Sequence, residues 1–166
     1  MRRREMLAAA GATVAAGLAG CLGLGPCASA PDEPRRLDTT VRNERRVTLS
    51  HDGCPTLRDP APHYTTVENQ RTEPVTVAVD IDRRDGGALF RGTFRLRTDA
   101  TVTVERPEPA AYAVTARVPA LDWHGRYTAT PDSYDCNEYW QEVTIDTSGV
   151  ESRELATTMG CETGPF

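Results

Sequence analysis

Val75-Thr76-Val77-Ala78-Val79-Asp80-Ile81-Asp82 is the stretch that decides the fold. Val75, Val77, Val79 and Ile81 alternate with Thr76, Ala78, Asp80 and Asp82, and an extended chain sorts such a pattern into one apolar and one polar face. The rhythm recurs downstream. Phe90, Phe94 and Leu96 alternate with Arg91, Thr93, Arg95 and Arg97; Val102 and Val104 sit among Thr101, Thr103 and Glu105. Tyr112, Val114, Ala116 and Val118 oppose Ala113, Thr115 and Arg117, and Val143 with Ile145 marks a further strand. Turn clusters rich in Gly, Pro and Asp separate these runs: Asp85-Gly86-Gly87, Thr98-Asp99-Ala100, Pro107-Glu108-Pro109, His124-Gly125, Pro131-Asp132-Ser133 and Ser148-Gly149. The expected fold is all-β, a sandwich of two antiparallel sheets, with no helix of ordinary length beyond the N-terminal leader.

The leader reads differently. Arg3-Arg4-Glu5-Met6-Leu7 fits a twin-arginine export pattern, and the apolar run from Met6 to Leu18 is about 13 residues, the length of a signal-peptide core and short of the ~20 that span a bilayer. Leu18-Ala19-Gly20-Cys21 completes a lipobox, in which small residues enter a peptidase cleft and the Cys21 thiol accepts a lipid. An ordinary alanine-rich helix would need all of these features to coincide by chance. The chain is therefore divided into a signal helix with lipobox (1–21), a flexible tether (22–45) and a sandwich domain (46–166). The tether carries Gly23, Gly25, Pro26, Pro31 and Pro34 and too few large apolar side chains to repay ordering. The expected location is the extracellular face of the cell membrane, with lipid on Cys21 as the membrane contact.

Charge narrows the partners. All 19 basic residues are arginine, and removal of Arg2, Arg3, Arg4 and Glu5 with the leader takes the net charge from −5 to −7. Beyond the doublets Arg35-Arg36, Arg45-Arg46 and Arg83-Arg84, read as solvated faces, nothing offers a basic footprint, so nucleic acid is not an expected partner. No Asn-x-Ser/Thr sequon occurs.

With Cys21 assigned to lipid, Cys27, Cys54, Cys136 and Cys161 remain, an even set that favours two disulfides in an oxidising compartment, with three connectivities open. Asp146-Thr147-Ser148-Gly149 suits a type I turn with a left-handed glycine. That turn sets Ile145 against Glu151, Val143 against Arg153 and Gln141 against Leu155. Extended outward, the register puts Cys136 opposite Gly160, one residue from Cys161; Cys27 would then pair with Cys54. A metal reading of His51, Cys54, His63 and His124 lacks a second matched ligand pair, and Cys161 lacks the following His and Met of a copper site. No metal or cofactor is expected.

Catalytic motifs are equally thin, with no Gly-x-Ser-x-Gly elbow, phosphate loop or His-Glu-x-x-His helix. Asp122 and His124 are weighed as an acid–base pair, and a loop whose Trp123 covers the core is preferred. Glu105 with Glu108, and Asp80 with Asp82, are read as solvent-facing charge. Tyr134-Asp135-Cys136-Asn137-Glu138-Tyr139-Trp140 has the mixture of binding loops, and Tyr134, Tyr139 and Trp140 are its candidate contacts. The plainer alternative buries Trp140 and lets the tyrosines shield a disulfide.

The lysine-free acidic chain with its twin-arginine lipobox leader resembles the small exported lipoproteins of halophilic archaea. From Val75 to Val118, ending in Tyr112-Ala113-Val114-Thr115-Ala116, it is similar to immunoglobulin-like and fibronectin-like sandwiches of cell-surface modules, although the Cys and Trp order of antibody domains is missing. The resemblance implies a non-enzymatic, lipid-anchored module that binds a protein, glycan or envelope component. A solute- or metal-binding lipoprotein beside a transporter and a small β-scaffold hydrolase are the alternatives. If export reads the arginine pair rather than positive charge, replacing Arg3 and Arg4 by Lys blocks secretion, measured as loss of the protein from the cell surface.

Overall fold

The computed structural model describes residues 33–49, 61–84, 87–106 and 109–158. Ten strands form two sheets: β1 (Arg35–Val41), β2 (Glu44–Thr48), β3 (His63–Asn69), β4 (Val75–Arg83), β5 (Gly87–Leu96), β6 (Ala100–Arg106), β7 (Tyr112–Val118), β8 (Trp123–Ala129), β9 (Tyr139–Ile145) and β10 (Val150–Ala156). One sheet runs β1-β5-β4-β7-β8 and the other β10-β9-β3-β6-β2. Single 3₁₀ turns occupy Pro119–Leu121 and Pro131–Ser133. No helix among the described residues is long and apolar enough to cross a membrane.

The alternation read from the sequence sets the core. Val77, Val79, Ile81, Phe90, Phe94, Leu96, Val102, Val104, Val114, Ala116, Val118 and Ile145 are all sealed from solvent between the sheets. Each large apolar side chain so buried stabilises the fold by about 1.5–3 kcal/mol before entropy is counted. A bulge between Ile81 and Asp82 shifts the β4–β5 register, so Leu89 and Phe90 are buried in succession where strict alternation would expose one.

Both sheets are mixed, which corrects the antiparallel expectation. β1 pairs parallel with β5, β2 with β6 and β3 with β9. The first two pairs follow from a change of sheet over Arg42 and Asn43: β1 completes the edge of one sheet and β2, two residues on, the edge of the other. The same segment moves the start of ordered structure. β1 lies wholly within the stretch expected to be a flexible tether, and β2 begins there, so the strands start at Arg35 rather than at 46. An edge strand needs little apolar content when its backbone is paired; Leu37, Thr39 and Val41 suffice for its inner face.

The last hairpin also departs from its expected register. Ile145 pairs with Val150, Val143 with Ser152 and Gln141 with Glu154, one residue off. Asp146 Oδ1 accepts bonds from the Ser148 and Gly149 amides, and Gly149 adopts φ 143° instead of the left-handed turn conformation. This closes a plain four-residue loop without the bulge that would have produced the other pairing.

At the end of the sandwich where β3 finishes, fully buried Asn69 ties both sheets together. Its Nδ2 donates to the carbonyls of Glu73, Leu96 and Arg97, and its Oδ1 accepts from the Arg71 amide. In the middle of β5, Gly92 leaves room for two rings: a Cβ there would stand 2.5 Å from Phe94 and 2.6 Å from Phe90. Gly92→Ala should therefore destabilise by about 1–3 kcal/mol despite its lower unfolded-state entropy, read as a lower urea midpoint at unchanged m-value.

Candidate functional site

At the opposite end of the sandwich, polar side chains enter the core. Alternation along β6 makes Val102, Val104 and Arg106 share the inner face, so Arg106 is carried inward by its register and is 1% exposed. β3 sets His63 beside it, and β9 sets Tyr139 on the other side of His63. From the facing sheet come Tyr112 of β7 and Tyr127 of β8. The connection before β9 supplies the cover: the 3₁₀ turn Pro131–Ser133, tightened by the Ser133 hydroxyl on the Thr130 carbonyl at 2.6 Å, delivers Tyr134 onto His63. Those two rings stack at 3.8 Å with 6° between planes.

The hydrogen bonds fix the state of His63. The Ser133 carbonyl can only accept, so His63 Nε2 carries the proton and donates at 3.0 Å. Nδ1 is then the acceptor for the Tyr127 hydroxyl at 3.2 Å. Both nitrogens are engaged and the ring is neutral. Its pKa falls to about 4, chiefly because burial penalises the imidazolium, with the Arg106 charge adding to the effect and the Ser133 carbonyl and Asp135 opposing it.

Arg106 is less well provided for. Its Nη1 donates to Thr65 Oγ1 at 2.7 Å, and that hydroxyl reaches Gln141 Oε1 at 3.5 Å. Nε and Nη2 have no hydrogen-bond partner, and no ion pair to Arg106 occurs among the described residues. The Tyr127 ring lies 5.7 Å from the guanidinium carbon, which returns part of the lost hydration. Burial lowers the Arg106 pKa and raises those of Tyr134 and Tyr127, so the hydroxyls stay protonated against the cation. The Tyr134 hydroxyl, also buried, faces Arg106 without good hydrogen-bond geometry, close enough to feel the cation.

On the outer face of the same sheet lies a second aromatic group. Tyr64 stacks on Trp140 at 5.3 Å, Arg46 sits 5.6 Å over the Tyr64 ring, and Leu155 of β10 is in register with Trp140. Leu155 is the exposed large hydrophobic residue among those described, at 42%.

The expected binding loop is thus divided. Tyr134 and Tyr139 turn inward to His63, the latter at 4.7 Å, while Trp140 turns outward to Tyr64. Cys136 is disulfide-bonded, and the other cysteines, Cys21, Cys27, Cys54 and Cys161, lie outside the described residues, as do Arg3, Arg4 and His51. Trp123 and His124 are not a loop but begin β8: Trp123 packs on the core, His124 is exposed on the other face, and Asp122 caps the preceding turn at φ 50°. Asp80 and Asp82 are more than solvent-facing charge, since Arg91 bridges to both and Arg117 to Asp80. Sequence reasoning missed Arg106 and Tyr127, weighed His63 only as a metal ligand, and put Tyr112 on the apolar face of its strand without joining it to a site. The signal for Arg106 was present, as the next even-numbered position after Val102 and Val104.

No protein-family model matches the chain, and no curated protein matches it. Among solved structures, a candidate cell adhesion protein from Bacteroides uniformis is 16% identical with a TM-score of 0.29, over 58% of this chain and 49% of that one. Catechol 1,2-dioxygenase from Acinetobacter sp. ADP1 is 6% identical with a TM-score of 0.33, over 76% and 60%. The enzyme of that name from Pseudomonas arvilla C-1 is 9% identical with a TM-score of 0.33, over 77% and 58%. The chain thus spans about half to three fifths of each solved chain it matches. At these scores none of the three bears on activity.

The depressed His63 pKa makes stability depend on pH. The unfolded chain, with an ordinary pKa of 6.5, binds a proton that the folded one refuses until about pH 4. His63 therefore favours the fold fully above pH 6.5 and progressively less down to pH 4, where the loss reaches about 3 kcal/mol. Urea titrations of wild type and His63→Gln should diverge in slope between pH 6.5 and 5; parallel curves would show that His63 titrates normally.

Proposed function

We propose that this protein is a non-enzymatic, lipid-anchored module on the extracellular face of the membrane, holding an envelope component through the outer face of β9 and β10. One observation carries the choice of a binder over a catalyst. The histidine with the most perturbed chemistry has both nitrogens committed inside the core, whereas the accessible apolar surface lies outside, at exposed Leu155 and half-buried Trp140 beside it. A buried base with no free lone pair serves packing. An aromatic ring flanked by an exposed leucine serves contact.

The leader supports the rest of the reading: the arginine pair, the short apolar run and Cys21 supply export and a lipid. A single acyl chain binds a bilayer only reversibly, at about 0.8 kcal/mol per buried CH₂, so two chains are expected on Cys21.

Capture from detergent-solubilised envelope tests the proposal, with the intact lipoprotein as bait and chemical cross-linking to hold its partner. Leu155→Glu, chosen because Leu155 is half exposed and its replacement spares the core, should lower capture about tenfold, or ~1.4 kcal/mol. Cys21→Ser should shift the protein from the membrane to the soluble fraction. Undiminished capture by Leu155→Glu removes the face from the proposal, and undiminished membrane partitioning of Cys21→Ser removes the anchor.

A further inference from the structure

The end of the sandwich farthest from His63 holds an open groove of about 600 Å³, lined by the side chains of Arg42, Arg95 and Arg97 and of Thr40, Thr72 and Thr98. Its walls are built, not incidental. Arg95 stands on the outer face of β5 in register with Thr40 of β1 and Thr76 of β4. The Arg97 amide donates to the Val41 carbonyl, its own carbonyl accepts from Asn69, and the Thr98 hydroxyl donates to the Thr72 carbonyl at 2.9 Å. The three guanidinium groups therefore project from a rim that buried Asn69 fixes.

What sets them apart is that they share one opening. Arg46, Arg91, Arg117 and Arg153 each lie in ion-pair range of a carboxylate. Among the described residues, Arg42, Arg95 and Arg97 have none, in a chain that carries 24 acidic residues against 19 basic. Arg36, Arg45, Arg84 and Arg126 share that lack, but only Arg42, Arg95 and Arg97 are gathered around this opening.

We propose that this groove binds an acidic polysaccharide through its carboxylate or sulfate groups. Each guanidinium offers a planar fork that pairs two oxygens of such a group at once, and the threonine hydroxyls between the forks suit sugar hydroxyls. The volume lies within the ~300–1,000 Å³ of ordinary ligand sites, and no aromatic side chain lines it to favour an apolar peptide anchor. Because the contacts are hydrogen-bonded ion pairs, binding survives salt that screens long-range attraction.

Placement agrees with the chemistry. The chain enters β1 at Arg35, opposite Phe90 and therefore at the His63 end, while the groove opens where β1 and β5 finish. Resting on the anchored reading proposed above, this turns the groove away from the membrane; the groove's own chemistry does not depend on that reading.

The test uses the full chain in detergent and calorimetric titration with polygalacturonate, dextran sulfate, neutral dextran and polyglutamate. Polygalacturonate and dextran sulfate should bind and neutral dextran should not. Arg95→Gln with Arg97→Gln should weaken binding at least tenfold, and Arg95→Lys severalfold through loss of the fork. Arg126→Gln, an exposed β8 residue outside both the groove and the β9–β10 face, should change nothing. All three arginines of the groove are exposed, so an unchanged unfolding midpoint confirms that the fold is intact. Binding of neutral dextran, indifference to the double substitution, or polyglutamate matching polygalacturonate overturns the proposal. Failure of the anchor would show instead in membrane fractionation, with these titrations unaltered.

Discussion

A guanidinium buried without a carboxylate governs one end of this sandwich. Arg106 cannot turn outward without breaking the alternation that buries Val102 and Val104, so its surroundings must make the inside tolerable. Thr65 takes one of its donors, Tyr127 gives it a ring face, and Tyr134 closes the opening above His63. The connection from β8 to β9 follows from that closure. Its 3₁₀ turn presents the Ser133 carbonyl to His63, and the Asp135 carbonyl then receives the Ala61 amide, fastening the approach to β3.

The two ends solve the problem of buried polarity in opposite ways. Asn69 is neutral, its two N–H groups are shared among three carbonyls and its oxygen accepts the Arg71 amide, so it costs little and fixes two loops at once. Arg106 is charged and partly unmatched, and tyrosine hydroxyls replace the counter-ion. Replacing a buried ion by a well-packed apolar side chain is often neutral or stabilising, so the arginine is not there for stability alone. Its effect is to demand one particular cover, which makes Tyr134 face inward and Trp140 outward.

The fold was legible wherever a strand has one apolar face, as in β4, β6 and β7. It was obscure where burial falls on polar groups or where pairing replaces side-chain burial. β3 hides His63, Thr65 and Asn69 in the core and so reads as loop. β1 and β2 are edge strands held by parallel ladders, which leave no hydrophobic trace. In β8, Trp123, Gly125 and Tyr127 do alternate inward, yet the glycine beneath the Trp123 ring reads as a turn residue. For the aromatic cluster before β9, composition revealed that it was special but not which ring faced which way. Tyr139 and Trp140 follow the alternation of Val143 and Ile145 once β9 is known to start at Tyr139, whereas Tyr134 is placed by the Pro131–Ser133 turn onto His63, a contact no local pattern reveals.

The parallel pairing of β1 with β5 has a mechanical meaning. Tension applied to the chain ahead of Arg35 runs along β1, across hydrogen bonds that lie roughly perpendicular to the pull. Seven residue pairs then share the load together, from Arg35 against Phe90 to Val41 against Leu96, instead of parting one after another. A domain held by its N-terminus and tugged at its far end is thereby loaded in shear, the direction in which a strand ladder resists rupture best.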